Sequence, residues 1–267
     1  MRIVRHLSPD GPAYAAMQSD GSAREISGDI FAKFHLTDRQ VVLGRLLTPL
    51  DPIYLPCIGL NYRQHAIESN LPMPKHPVLF VKNPASVLHP DGAIALPSKL
   101  PSDSVDYECE LAVVIGRRCK NVSRADALNY VLGYTCANDV SARDWQFNGG
   151  GNQWCQGKSF DTFCPLGPVI VTSDEIPNPN ALRIRTRLNG ETMQDSNTAD
   201  MIFDVSTLIE FLSAGKTLLP GTVILTGTPQ GVGFARKPPV RLKPGDIVAI
   251  EIERIGTLTN PVVDEAE

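Results

Sequence analysis

The segment Asp106-Tyr107-Glu108-Cys109-Glu110-Leu111-Ala112-Val113-Val114-Ile115-Gly116 constrains this chain more than any other. It is a strongly apolar, β-favouring run that opens with two glutamates spaced by two. Strand side chains alternate faces, so Glu108 and Glu110 point the same way and Cys109 the opposite way. Two neighbouring carboxylates repel each other and lose hydration, which is unfavourable unless a cation sits between them. Oxygen-only ligands suit a hard cation: Mg²⁺ first, with Mn²⁺ or Ca²⁺ possible. The other reading is a solvated strand end whose acids face water, and the segment alone leaves both open.

At 267 residues the chain can bury a sizeable core, as one large domain or a large one with a small appendage. Its apolar content of 42% and charged content of 20% are those of an ordinary globular protein. A net charge of −4 gives no electrostatic reason to expect nucleic acid or an anionic membrane as partner. No apolar run approaches the roughly 20 residues of a membrane span. The N-terminus starts in a strand-like pattern, Met1-Arg2-Ile3-Val4, without a secretory apolar region. Six scattered cysteines with no CxxC pair read as reduced thiols. The expected location is therefore cytoplasmic, or mitochondrial if a presequence has been removed.

Residues 1–52 read as a small β-rich N-terminal domain, with turns at Pro9-Asp10-Gly11-Pro12 and Ser19-Asp20-Gly21. Asp51-Pro52 and Pro56 mark the boundary to a second unit, 53–267. There Cys57–Leu60 reads as a short buried strand leading into a helix over Asn61–Glu68, stopped before Leu71-Pro72-Met73-Pro74. Strands are expected at Val78–Val81, Leu111–Ile115, Gly133–Val140, Pro165–Thr172, Leu182–Leu188, Gly221–Leu225 and Ile247–Ile252. Ser123-Arg124-Ala125-Asp126 resembles a capping box for a helix reaching Val131. Asn189-Gly190 is a hairpin turn. Asp204 or Ser206 caps a helix to Ala214 that buries Leu208, Ile209, Phe211 and Leu212. Many short strands and few helices give a β-dominated α+β fold.

Asp139 ends a predicted strand and is the natural third metal ligand, although turn capping would equally explain a lone aspartate. His65 and Glu68 are spaced i, i+3 and share a helix face, where the carboxylate can orient the imidazole as a general base; a plain surface pair is the alternative. Lys158, in Gly157-Lys158-Ser159-Phe160, could hold an enolate or carboxylate if partly buried, or simply face solvent. Arg143 and Gln146 follow Asp139 by four and seven, so a helical turn brings them near the metal, where arginine suits a substrate carboxylate. The loop Thr226–Gly233 lacks the GK[ST] ending of a nucleotide-binding loop. It fits better as backbone N–H groups plus the Thr228 hydroxyl offered to a carboxylate.

Together these blocks resemble the fumarylacetoacetate hydrolase family from about residue 57 to 262. The resemblance is carried by Gly59-Leu60-Asn61-Tyr62 with His65 and Glu68, Glu108-x-Glu110, Asn138–Asp144, Gly157-Lys158-x-Phe160-Asp161 and Thr226–Gly233. Asp144-Trp145-Gln146, Gln153-Trp154, Asp161–Pro168 and Arg236–Val240 make it most similar to the family's domain-containing type 2 branch. The resemblance implies a mixed β-sandwich roll with a small N-terminal domain, a homodimer and a Mg²⁺ or Mn²⁺ site. It implies Glu108, Glu110 and Asp139 as metal ligands, and His65 and Glu68 as an acid–base dyad on a mobile lid. Lys158, Arg143, Gln146 and Thr228 would position a 2-oxo acid. The expected activity is oxaloacetate keto–enol tautomerisation, with acylpyruvate or fumarylpyruvate C–C hydrolysis as alternative and oxaloacetate decarboxylation as a side activity. A non-catalytic metal-binding scaffold is the reading from a different class. The glycine-rich stretch Asn148–Asn152 is expected to alter substrate choice.

Overall fold

The computed structural model describes residues 1–149, 152 and 154–266. The chain opens on four antiparallel strands: β1 (Arg2–Ser8), β2 (Gly11–Met17), β3 (Ala23–Gly28) and β4 (Phe34–Gln40). Next come β5 (Leu55–Gly59), helix α1 (Arg63–Glu68), β6 (Val78–Lys82), β7 (Cys109–Ile115) and β8 (Val131–Asn138). Two short helices, α2 (Arg143–Phe147) and α3 (Trp154–Lys158), precede β9 (Cys164–Thr172) and the hairpin β10 (Arg183–Leu188) and β11 (Glu191–Asn197). Helix α4 (Val205–Ser213), β12 (Val223–Leu225), β13 (Ile247–Ile252) and β14 (Gly256–Asp264) complete the order.

The large sheet has twelve strands and follows β4-β3-β2-β1-β9-β8-β7-β12-β5-β6, with Leu46–Leu47 and Val87–Leu88 off that path. β1 pairs with β9 through Arg2↔Val171 and Ile3↔Ile170, so the N-terminal strands extend the sheet that carries β7. The smaller sheet, β11-β10-β13-β14 plus Ile94–Leu96, covers one face of the larger one. On that face Cys109, Leu111, Val113 and Ile115 share an apolar cluster with Ile184, Val248, Ile250 and Leu258. On the other face Ala112 and Val114 pack with Cys57, Leu166, Ile170 and Leu225. All of β7 is buried, which is why its sequence from Leu111 to Ile115 is an unbroken apolar run rather than an alternation. The result is a β-dominated α+β fold, a mixed β-sandwich with its helices at the margins.

Some elements depart from the sequence reading. The Ser123 hydroxyl donates to Asp126 Oδ2 (2.7 Å), but only a 3₁₀ turn, Ala127–Tyr130, follows before β8. That turn buries Ala127 alone, too little apolar surface to sustain a helix. In α4 the cap is Asp204, whose Oδ1 accepts from Thr207 N (2.8 Å); Phe211 is only half-buried. β14 was not foreseen, because Pro261 interrupts its sequence. The proline stands opposite Ile247, where β13 begins.

Candidate active site

β7 and β8 run antiparallel with Cys109 opposite Asn138. Just beyond that pair, Glu108 N donates to Asn138 Oδ1 (3.0 Å) and Asp139 N to Glu108 O (2.9 Å), which locks the two strand ends in register. Glu110 lies on the same face of β7 as Glu108. The register therefore gathers Glu108, Glu110 and Asp139, each offering a carboxylate oxygen within 4.8 Å of the others. All three are buried. Such a set of oxygen donors fits a hard divalent cation.

Three cationic side chains enclose the acids. Lys158, closing α3, donates to Glu108 Oε2 and Asp139 Oδ2, both at 2.8 Å. Lys82, closing β6, donates to Asp139 Oδ1 (2.5 Å) and to Val140 O (3.1 Å). Arg143, opening α2, meets Glu108 Oε1 at 2.6 Å and holds Asp106 Oδ2 through Nε (3.0 Å) and Nη2 (2.8 Å). Its Nη1 also donates to Gln146 Oε1 (3.0 Å). Among the described residues Glu110 receives only the backbone N–H of Gly227, at 2.7 Å. Burial alone would raise Glu108, yet Arg143 and Lys158 outweigh it and hold its carboxyl at about 2. Glu110 has burial and the charges of Asp139 and Glu108 against it, and rises well above the usual carboxylate range. Burial works against the Lys158 ammonium too, but Asp139 and Glu108 reverse the balance and keep it charged. Four buried acids, Asp106 included, thus face three buried cations, and the deficit falls on Glu110.

Helix α1 supplies the second group. His65 Nδ1 lies 3.2 Å from Glu68 Oε2. Glu68 in turn accepts from Gly231 N, at 2.9 Å on Oε1 and 3.1 Å on Oε2. Gly231 has φ +95°, and a Cβ there would come within 2.3 Å of Met193 O, so the loop needs glycine at this point. Gly227 (φ +99°) is as tightly held: a Cβ would meet Asn61 Cβ at 2.6 Å.

His65, Glu68, Glu108, Glu110, Arg143, Gln146, Lys158 and Thr228 line one cavity of about 450 Å³. Asp139, fully buried, contacts its Lys158. Thr228 Oγ1 accepts from Gln194 Nε2 (2.8 Å), which leaves its own O–H to donate. Gly150 and Gly151 of the glycine-rich stretch lie outside the described residues.

The sequence reading missed three supporting residues. Asp106 accepts from Gly233 N (2.8 Å) and Phe234 N (3.0 Å) besides holding Arg143; sharing strand parity with Glu108 was its signal. Lys82 shares parity with buried Phe80, an equally readable sign. Gln194 gave none: its Oε1 accepts from Cys109 N (3.0 Å) and Thr186 Oγ1 (2.7 Å), and its Nε2 also donates to Pro229 O (2.8 Å), so it ties the glycine loop to β7.

Known proteins share this chain's sequence and fold. Residues 55–263 match the family model for the fumarylacetoacetate (FAA) hydrolase C-terminal region, and residues 1–49 match an Rv2993c-like N-terminal model. The mitochondrial oxaloacetate tautomerase fahd2 of Xenopus laevis is 50% identical over 237 residues, covering 87% of this chain and 74% of that protein. The solved structure of 5-carboxymethyl-2-hydroxymuconate delta-isomerase from Mycobacterium smegmatis superimposes with a TM-score of 0.88 at 43% identity, covering 99% of this chain and all (100%) of the other. A fumarylacetoacetate hydrolase from Exiguobacterium antarcticum gives a TM-score of 0.90 at 35% identity over 99% of this chain and 100% of its own. With sequence and fold in agreement, the chain is an enzyme of the fumarylacetoacetate hydrolase family.

Proposed function

We propose that the chain interconverts the keto and enol forms of small enolisable 2-oxo acids, oxaloacetate among them. We further propose that it does so with Mg²⁺ or Mn²⁺ held by Glu108, Glu110 and Asp139. The observation that carries this reading is that Glu108, Glu110 and the His65–Glu68 pair border one cavity, with Asp139 within reach of both glutamates. A divalent cation there would supply Lewis acidity to the 2-oxo group and its adjoining carboxylate. Glu68 engages His65 Nδ1, which leaves Nε2 to take a proton from C3 and return it. Lys158, held as an ammonium, stabilises negative charge growing on the 2-oxo oxygen. Thr228 O–H and the Gln146 amide donate to the substrate carboxylate. Arg143, committed to Asp106, Glu108 and Gln146, fixes the positions of the latter two.

The activity printed for the Xenopus relative supports oxaloacetate, and the Mycobacterium isomerase supports proton transfer next to a carbonyl as the shared chemistry. C–C hydrolysis is the second reading, with the same pair directing a water onto a distal carbonyl. The cavity volume of about 450 Å³ favours keeping it, since that leaves space beside a four-carbon acid. We also infer a homodimer in a reducing compartment, cytoplasm or mitochondrial matrix; the six cysteines are all free thiols, consistent with such a location. No described helix is long and apolar enough to cross a membrane.

The test follows oxaloacetate's enol absorbance and pyruvate release in parallel, with Mg²⁺ present and after chelation. Enol loss without pyruvate, abolished by the chelator, is expected; pyruvate appearing as fast as enol disappears rules out a tautomerase. His65→Ala should lower the rate about 10²- to 10⁴-fold, the usual worth of a positioned base.

A further inference from the structure

The backbone of the loop Thr226–Gly233 turns N–H groups toward carboxylates from three parts of the chain. Gly227 N donates to Glu110, Gly231 N to Glu68 and Gly233 N to Asp106. Glu110 belongs to the acidic cluster and Glu68 to the pair on α1. Asp106 belongs to neither and does not line the cavity. Its buried carboxylate nonetheless takes five hydrogen bonds, more than Glu108, Glu110 or Asp139 receives among the described residues. Oδ1 accepts from Tyr107 N (2.9 Å) and Gly233 N (2.8 Å). Oδ2 accepts from Phe234 N (3.0 Å), Arg143 Nε (3.0 Å) and Arg143 Nη2 (2.8 Å).

These bonds run in two directions. The short pairing of Val105–Asp106 with Ser141–Ala142, continued by Arg143 N donating to Ser104 O (2.9 Å), sets Arg143 beside Asp106. Asp106 takes Nε and Nη2 of the guanidinium, which leaves Nη1 for Glu108 and Gln146. Without that hold the guanidinium is free to turn two parallel N–H groups onto Glu108 and compete with a cation for it. In the other direction lies the loop. Gly233 packs so closely that a Cβ would come within 2.2 Å of Val240 O and 2.6 Å of Asp106 Oδ1. Tyr107, next in the chain, donates its hydroxyl to Gly231 O (3.2 Å). Two consecutive residues thus clamp the stretch whose Gly231 N holds Glu68.

Resting on the reading above, we propose that Asp106 is a positioning residue that holds the acidic cluster and the His65–Glu68 pair in one fixed relation. One arm runs through Arg143 to Glu108, and the other through the loop to Glu68. Misplacing a reacting group by about 1 Å costs about 10²-fold in rate. Losing a residue that orients a metal ligand costs about 10- to 100-fold in metal affinity.

The test is Asp106→Asn, which keeps the shape. Either orientation of its amide sets N–H against an N–H of the loop, and in both the charge facing Arg143 is gone. At saturating Mg²⁺ the variant should lower kcat for oxaloacetate enol loss about 10²-fold and leave KM unchanged. Isothermal titration of the same protein should show Mg²⁺ binding about 10- to 100-fold weaker. A purely structural role would lower the melting temperature and move neither constant in folded protein. Gly233→Ala disturbs the loop arm alone and should lower kcat about tenfold or more, so the inference stays testable if Asp106→Asn does not fold. Parent-like kcat or parent-like Mg²⁺ affinity in folded Asp106→Asn, or parent-like kcat in Gly233→Ala, overturns this inference and leaves the tautomerase reading standing. The Mg²⁺ titration decides for Asp106 even if oxaloacetate is not the substrate. A parent that neither binds Mg²⁺ nor consumes the enol overturns both.

Discussion

Glu110 accepts one backbone hydrogen bond, while Glu108 and Asp139 each meet two cationic side chains. That asymmetry makes Glu110 the most strained carboxylate of the set and the one whose charge a bound cation would most relieve. Glu110→Gln keeps the volume and the acceptor for Gly227 N but removes the acid. In chelator-treated protein it should raise stability by about 1 kcal/mol, roughly 2–4 °C in Tm at this size. It should also erase the Tm increase that Mg²⁺ gives the parent. Scanning calorimetry with and without Mg²⁺ reads both, and a variant that Mg²⁺ still stabilised in full would remove Glu110 from the ligand set. Gly231 tests the other half of the site. Gly231→Ala forces a side chain onto a left-handed backbone and against Met193 O, a cost of about 1–3 kcal/mol. It also shifts the N–H that holds Glu68, so kcat should fall more than the stability loss explains. A normal kcat in folded protein would show that Glu68 needs no such anchor.

At the scale of elements, two histidines hold the segment that follows the N-terminal strands, His6 from within that unit and His89 from the body. His6 Nδ1, on β1, accepts from Gly44 N (3.2 Å), and His89 Nδ1 accepts from Thr48 N (2.9 Å). Burial lowers both below the ordinary value of 6.5, and Arg45 and Arg5 lower His89 further against a smaller opposing pull from Asp51. The unfolded chain therefore takes up these protons first. Their contribution is complete above pH 6.5 and is lost as pH falls through 6.5 toward the folded values. Tm measured from pH 8 to 5.5 should drop more steeply in the parent than in a His6→Asn, His89→Asn double variant, whose amides keep an acceptor without a titrating ring. Equal slopes would show that neither histidine is linked to folding. The same scale explains what the sequence could disclose. Glu108 with Glu110, and His65 with Glu68, were legible because each pair lies in one local segment, where spacing alone fixes relative direction. Gln194 is 85 residues from Cys109, and only sheet packing brings them together. Lys82 is likewise 57 residues from Asp139. Helices α2 and α3, five residues each, are too short to show a period, and β14 was hidden by its proline.

For the whole molecule, the decisive surface is the β6 edge of the large sheet. An unpaired edge strand invites association unless charge or a covering element protects it. Here the outward side chains are Leu79 and Val81, 38% and 37% exposed, and the segment leading into β6 exposes Ile67, Leu71 and Met73 at 62%, 53% and 50%. Such exposed apolar side chains are what a second copy of the chain would bury. The inward side chains of the same strand are Phe80, which braces Trp154, and Lys82, which holds Asp139. In the proposed dimer, strand parity would couple assembly to the site: a partner pressing on Leu79 and Val81 would fix the two residues between and beyond them. Light scattering should give a dimer for the parent and a monomer for a Leu79→Glu, Val81→Glu double variant. Isothermal titration should then show Mg²⁺ binding at least threefold weaker in the monomer, because Lys82 no longer holds Asp139 as firmly. A monomeric parent would refute the dimer outright. A monomeric variant with undiminished Mg²⁺ affinity would confine the edge to assembly and leave the metal centre independent of it.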